Sequence, residues 1–365
     1  MDFFGTHITE QAKSLVVETM ESGWLSEGKR VAEFESRLTA DLGFAHPVAV
    51  NSGTSALELA LHVAGVSRGD EVILPPQTFV ASGLAIINVD AIPVFADINP
   101  DTGNISPKSI AERITDRTAA VMPVHWGGYP CDMDEIGEIA TDAEIAVVED
   151  AAHAVGATYK SKPIGAISNF TCFSFQAIKH LTTGDGGAVC CIDPDDENKA
   201  KAMRWFGIDR ANSRPSVLGE REFDVTGRGF KFHMNDLAAS MGIGNLHGLG
   251  DRLERRNAIA STYLDRLADV GGITLLKREP DRTHANWLFT MRAENREGLI
   301  RKLSDAEIPS SVVHQRIDRF SVLGGVRTNF RGQEQFESSQ LSIPVHEGLT
   351  DKDVDRVVGV IKSGW

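Results

Sequence analysis

The sequence is short of several things, and each shortage excludes a class of protein. Only four of its 365 residues are cysteine: Cys131, Cys172, Cys190 and Cys191. No two have CxxC spacing and no His/Cys cluster has zinc-ligand spacing, which argues against a structural zinc or a disulfide framework. Cys190 and Cys191 adjoin in a strand-like stretch and so face opposite sides. Reduced, buried thiols in a cytoplasmic protein are expected. No apolar run approaches the roughly 18 residues that a membrane span requires. Met1-Asp2-Phe3-Phe4-Gly5-Thr6 has no basic segment ahead of an apolar one, so neither a signal peptide nor a span is expected. Positive charge is also short. Lys and Arg total 37 against 51 Asp and Glu, a net charge of −14. That balance disfavours nucleic acid and anionic membrane surfaces as partners, while leaving room for local basic sites. Repeats, low-complexity segments, GxGxxG and the P-loop are absent; Gly184-Asp185-Gly186-Gly187 fits neither glycine pattern.

What remains is ordinary globular material, 42% hydrophobic and 24% charged. The length suits two domains or one large α/β domain with an appendage. Helices are predicted over Glu10–Met20, Val31–Leu42, Ala56–Ala64, the stretch from Phe79 to Ile87, and Met133–Ala140. Between them lie short apolar strands at His46–Val50, Glu71–Leu74, Ile92–Ala96, Ala119–Val124 and Ile145–Val148. This alternation predicts a mainly parallel sheet covered on both faces, with its site at the C-terminal strand ends. After about residue 250 the texture changes. A charged helix (Arg252–Leu267), strands at Ile273–Leu276 and Trp287–Met291, and helices over Arg296–Ala306 and Asp351–Ile361 predict a smaller α+β domain. The expected division is 1–250 and 251–365.

The chemistry-bearing residues fall at predicted strand ends. Lys179 follows the apolar run Cys172-Phe173-Ser174-Phe175 and precedes the small-residue turn Thr182-Thr183-Gly184-Asp185-Gly186-Gly187, which allows close backbone approach. Some thirty residues upstream, Val147-Val148-Glu149 ends in Asp150. A lysine beside a carboxylate suits a pyridoxal phosphate site: the amine forms a Schiff base and the carboxylate pairs with the protonated pyridine nitrogen. Alone, Lys179 reads as a solvated strand end, and Asp150 serves equally well as a helix N-cap. His153 suits a ring face or a helix surface. Ser52-Gly53-Thr54-Ser55 is a strand-to-helix turn of small hydroxyl residues, suited to a phosphate or to simple capping. Ser174 adds a further phosphate contact, and Phe79, after Pro75-Pro76, offers a second ring face or a core side chain.

The order of these segments carries a resemblance. The chain resembles the DegT/DnrJ/EryC1/StrS family of pyridoxal phosphate-dependent sugar aminotransferases along nearly its whole length. The match runs from Ser22-Gly23-Trp24-Leu25-Ser26-Glu27-Gly28 through Asn51-Ser52-Gly53-Thr54-Ser55-Ala56-Leu57, Pro76-Gln77-Thr78-Phe79, Glu149-Asp150-Ala151-Ala152-His153 and the Lys179 segment. It continues to Leu341-Ser342-Ile343-Pro344-Val345-His346. The resemblance implies the type I aminotransferase fold and a homodimer with shared sites. It implies Lys179 as the Schiff-base lysine, Asp150 as the pyridinium partner, His153 and Phe79 flanking the ring, and Thr54, Ser55 and Ser174 at the phosphate. A related dehydratase carries histidine in place of this lysine, so Lys179 points to amino transfer rather than dehydration. A regulatory protein that binds the cofactor without turnover is the other alternative. Gly229-Phe230-Lys231-Phe232-His233-Met234 departs from the family's usual Gly-aromatic-Asn-Tyr-Arg-Met. Lys231 and His233 are therefore candidates for the contact a partner subunit makes to the phosphate. The expected substrates are glutamate and a nucleotide-linked 4-keto-6-deoxyhexose. Arg228, Lys231, Arg316 and Arg319 are candidates for its pyrophosphate, and Trp24 and His314 for its sugar.

Overall fold

The computed structural model describes residues 1–209, 213–225 and 227–365. Its centre is a seven-stranded sheet. In chain order the strands are β1 (Pro47–Val50), β2 (Glu71–Leu74), β3 (Ile92–Phe95), β4 (Thr118–Val121), β5 (Ala146–Asp150), then, beyond a small hairpin of β6 (Thr158–Tyr159) and β7 (Lys162–Pro163), β8 (Phe170–Ser174) and β9 (Gly187–Cys191). They lie in the order β1-β9-β8-β5-β4-β2-β3. Six run parallel. β9 alone runs against its neighbours β1 and β8. The expected mainly parallel sheet is present, with its single reversal at the hairpin that carries Lys179.

Helices α1 (Glu10–Ser22), α2 (Lys29–Leu42), α3 (Gly53–Val63), α4 (Val80–Asn88), α5 (Pro107–Ala111), α6 (Met133–Asp142) and α7 (Pro194–Met203) accompany the sheet. An exposed hairpin of β10 (Arg214–Pro215) and β11 (Arg221–Glu222) precedes α8 (Asp236–Leu246). Two apolar cores flank the strands because parallel strands bury both faces. One holds Phe34, Val121, Phe173 and Ile243; the other holds Leu57, Leu74, Met122 and Val189. Cys190 falls in the first and Cys191 in the second, as their alternation along β9 requires. All four thiols are buried and unbridged.

The remainder comprises α9 (Leu249–Leu267), β12 (Ile273–Leu275), β13 (Phe289–Ala293), α10 (Arg296–Asp305), α11 (Arg331–Ser339), β14 (Gln340–Ile343) and α12 (Asp351–Lys362). β12, β13 and β14 form an antiparallel sheet. Its core, drawn from residues between Ile259 and Ile361, is separate from the two cores of the large sheet. The strand expected at Trp287–Met291 begins later, at Phe289. Residues 285–288 are occupied elsewhere: the amides of Ala285 and Leu288 donate to the carbonyls of Gly128 and Gly127. That displacement brings Trp287 to the site. The helix expected from Ala56 starts at Gly53, because Ser52 caps it by accepting the Ser55 amide at 3.0 Å. Among the described residues, no helix is long and apolar enough to cross a membrane.

Candidate active site

A cavity of about 360 Å³ opens where β1, β2, β5 and β8 end. This is the C-terminal edge of the parallel strands, where connecting loops converge. Its lining brings together Thr54, Phe79, Asp150, His153, Ser174 and Lys179, all of them expected from the sequence. Trp287 and His314 close it from the C-terminal part of the chain.

Lys179 sits in the turn between β8 and β9, and the residues on either side of it are tied down. The Trp287 Nε1–H donates to the Ile178 carbonyl at 3.1 Å, and His180 Nε2 donates to the Ala285 carbonyl at 2.9 Å. The base of the turn is closed by the Phe175 amide donating to the Gly186 carbonyl at 2.8 Å. Lys179 Nζ lies 3.6 Å from the centroid of the Trp287 ring. Burial lowers the pKa of this amine to about 7, with the Asp150 carboxylate opposing the shift. A large share of it is therefore unprotonated and nucleophilic near neutral pH.

Asp150 ends β5. Its Oδ2 accepts the Ser82 hydroxyl at 2.7 Å, and its Oδ1 accepts the Ala152 amide at 3.2 Å. The backbone on which it stands is braced by Glu149, whose side chain alternates to the other face of the strand. There Glu149 accepts Thr171 Oγ1 at 2.9 Å and lies 2.7 Å from His125 Nε2. His125 Nδ1 accepts the Cys131 amide, so Nε2 carries the proton and donates to Glu149.

The turn after β1 places the first amides of α3 at the cavity, where they have no intrahelical acceptors. Glycine is required at two positions here. A Cβ on Gly53 would meet Ser174 Cβ at 2.9 Å, and one on Gly187 would meet the Ser52 carbonyl at 2.6 Å. The two strand ends thus approach more closely than side chains permit, leaving a small cradle between Ser52, Thr54 and Ser174. Ser55 turns away from it. Its hydroxyl donates to Asn51 Oδ1 at 2.7 Å and accepts Ser52 Oγ at 2.9 Å, so it braces the turn from beneath.

Aromatic rings line the remaining walls. His153 stacks on Trp287 with centroids 3.8 Å apart, and Phe4 packs against Trp287 at 5.1 Å. Phe79, 54% exposed, lies 5.2 Å from His314. Burial, reinforced by the nearby Lys179 charge, holds His153 well below the usual imidazole range and His314 at about 4. Both rings are neutral at pH 7, and His153 Nδ1 is buried without a hydrogen-bond partner.

Other candidates lie apart from the cavity. Lys231 is exposed and bridges Trp205 through its backbone, while His233 bridges Val50 and packs edge-on to Trp205 at 4.2 Å. Neither lines the cavity of its own chain. Arg316 corrects the expectation of a pyrophosphate ligand. It is buried and forms a two-point pair with Asp318 at 2.6 and 2.7 Å, with a further bond to the Arg327 carbonyl. Trp24, expected near the sugar, lies on a separate groove with Glu27, Trp205 and Phe223 and is 63% exposed. Asp236 draws its segment there, accepting the Gly28 amide at 2.8 Å. Arg228 and Arg319 are exposed, and Arg319 donates to Gln315. Trp287 and Ser82 were missed by sequence reasoning. The signal for Ser82 was its spacing of one helical turn from Thr78. Trp287 gave no signal beyond membership of an apolar run.

The arrangement matches known proteins. The profile of the DegT/DnrJ/EryC1/StrS aminotransferase family matches residues 6–362. The chain belongs to this family. It is therefore a pyridoxal phosphate-dependent sugar aminotransferase, with the type I fold. It is 38% identical to the spore coat polysaccharide biosynthesis protein SpsC of Bacillus subtilis, over 95% of this chain and 92% of that one. Identity to the GDP-perosamine synthase of Caulobacter vibrioides is 33%, over 96% and 94% of the two chains. The sugar aminotransferase CalS13 of Micromonospora echinospora superposes with a TM-score of 0.95 at 33% identity, covering all of both chains. The family and its sugar aminotransferase relatives favour an enzyme over the alternative of a regulatory protein without turnover. The residues fit the family's cofactor: an amine of lowered pKa, a carboxylate with one weakly satisfied oxygen, a hydroxyl-lined helix start and flanking rings face one cavity.

Proposed function

We propose that this aminotransferase moves an amino group from glutamate to a nucleotide-linked 4-keto-6-deoxyhexose, during synthesis of a surface polysaccharide or a glycosylated metabolite. The observation that carries the reading is the convergence of Lys179, Asp150 and the start of α3 on one cavity. Lysine at position 179, where the resemblance gives the dehydratase a histidine, favours amino transfer. The names of GDP-perosamine synthase and of SpsC support a nucleotide-linked sugar and a polysaccharide end use.

When bound, pyridoxal phosphate supplies a carbonyl carbon for the amine and a ring that accepts electrons. In this reading Thr54, Ser174 and the first amides of α3 hold the phosphate, and Ser55 stiffens that turn. Asp150 faces the ring nitrogen and keeps it protonated. Phe79 and His153 bound the two faces of the ring. Lys179 Nζ holds the cofactor and, once displaced by the donor, moves the proton at the donor's Cα. Its lowered pKa suits both tasks, because the amine releases and accepts a proton near neutral pH. The neutral imidazoles of His153 and His314 shape the acceptor side without adding positive charge. The protein works as a cytoplasmic homodimer, in which the loop carrying Lys231 and His233 reaches the phosphate of the second copy.

The test is a panel of nucleotide-linked keto sugars incubated with 15N-glutamate and read by mass spectrometry. One acceptor should gain a labelled amine, and Lys179→Ala should reduce that product by more than about 10⁴-fold. A deoxy ketone without label, or undiminished amination by Lys179→Ala, would reject the reading.

A further inference from the structure

Asp150 does not stand alone. Ser82, in the first turn of α4, has no exposed surface and donates its hydroxyl proton to Asp150 Oδ2 at 2.7 Å. Its single proton goes to this charged acceptor rather than to the Phe79 carbonyl, which lies farther off at 3.3 Å. The hydroxyl of Thr78, 2.7 Å from Ser82 Oγ, must then be the donor in that pair. Thr78 is also largely buried, at the lining of the cavity, and Ser82 lies behind it. The direction of the chain is therefore Thr78 to Ser82 to Asp150. Each hydroxyl that accepts a bond donates a stronger one, most of all in a dry interior.

This chain has a geometric consequence. Asp150 can rotate about its side-chain bonds, and its two oxygens are chemically equivalent. The bond from Ser82 pins Oδ2 toward α4 and leaves Oδ1, with only the 3.2 Å amide of Ala152, as the less satisfied oxygen. The same turn carries Phe79 between Thr78 and Val80, so one short segment sets both a ring face and the carboxylate's orientation. The turn is itself anchored: Gln77, fully buried, donates to the His314 carbonyl at 3.0 Å and accepts from Gln333 at 2.9 Å.

We infer that Ser82 and Thr78 are positioning residues that orient Asp150 toward the pyridine nitrogen of the cofactor. The inference rests on Asp150 being the partner of that nitrogen. The hydroxyl relay acts through the carboxylate. It also offsets part of the cost of a buried carboxylate, since hydrogen bonds to charged groups are the stronger ones.

The experiment compares two cofactors on cofactor-free protein, by quenching of tryptophan fluorescence. One is pyridoxal phosphate. The other is its 1-deaza analogue, in which carbon replaces the ring nitrogen. Ser82→Ala should weaken pyridoxal phosphate about 10-fold, one charged hydrogen bond's worth, and leave the analogue within about two-fold. Thr78→Val, equal in volume, should weaken pyridoxal phosphate about three-fold, and Thr78→Ser should restore it. A purely structural role would weaken both cofactors alike, and that result, or no change with either, would overturn the inference. Should Ser82→Ala fail to fold, the Thr78 pair carries the same comparison. If the unaltered protein binds both cofactors equally, the assignment of Asp150 itself fails, and the relay with it. Because no sugar is present, an error in the proposed acceptor leaves this outcome untouched.

Discussion

The Lys179 cavity has two walls built by different means. One comes from the ends of β1, β5 and β8 and carries Thr54, Asp150 and Ser174. Ladder bonds fix its spacing: Asp150 registers against Cys172, and Ser174 against Gly187. The other wall, with Trp287 and His314, comes from more than a hundred residues later in the chain. It is held by side chains: Gln77 grips the His314 carbonyl, and Trp287 grips the Ile178 carbonyl. The sheet wall places groups through regular backbone, which tolerates little variation. The second wall depends on individual contacts, so under the proposed function it is where substitutions are expected to change acceptor choice most.

Substitutions can break this contrast, beginning with the sheet wall. Asp150→Asn keeps the shape but removes the charge, and should lower turnover by about 10²–10³-fold, as loss of one preorganised electrostatic group does. Equal losses on substituting His314 would show that the walls do not divide the work. Trp287→Phe keeps the ring beneath the lysine and loses the bond to Ile178. It should cost about 1 kcal/mol in denaturant unfolding and raise the acceptor's KM more than it lowers kcat. Ser55→Ala should cost about 1 kcal/mol of stability, from the lost bond beneath the turn, with a smaller change in cofactor affinity. A large loss of affinity there would give Ser55 a direct contact.

Lys179 joins the walls, and its titration gives a test with a definite sign. Its folded pKa, about 7, lies below the ordinary 10.5, so between these values the unfolded chain binds more protons. The cost to folding is full below pH 7 and disappears as pH rises toward 10.5. In the cofactor-free protein, Lys179→Met should therefore raise Tm most at pH 6, with the gain shrinking at pH 9. A gain independent of pH would show that the amine stays solvated.

The contrast also explains what was legible in the sequence. The strands β1 to β5 and most of the helices around them follow from short apolar runs and their caps. Asp150 and Ser174 were legible because each ends a strand, and Thr54 and Lys179 because each follows one within a few residues; ends of parallel strands gather on one edge. The strand at Gln340–Ile343 and the helix at Asp236–Leu246 escaped because neither shows strong periodicity; one is buried along its whole length and the other along most of it. Arg316 looked like an available cation until Asp318, two residues on, proved to satisfy it.

Thus the sequence by itself determined the alternating architecture, the amine and carboxylate pair, and the hydroxyl turn, since local propensity and strand ends suffice to align them. Only the tertiary structure decided that Trp287 lies beneath Lys179, that Ser82 meets Asp150, and that Ser55, Arg316 and Trp24 lie outside the lining of their own chain's cavity. Those outcomes depend on contacts between residues far apart in the chain, where packing and satisfaction of buried polar groups override any local pattern.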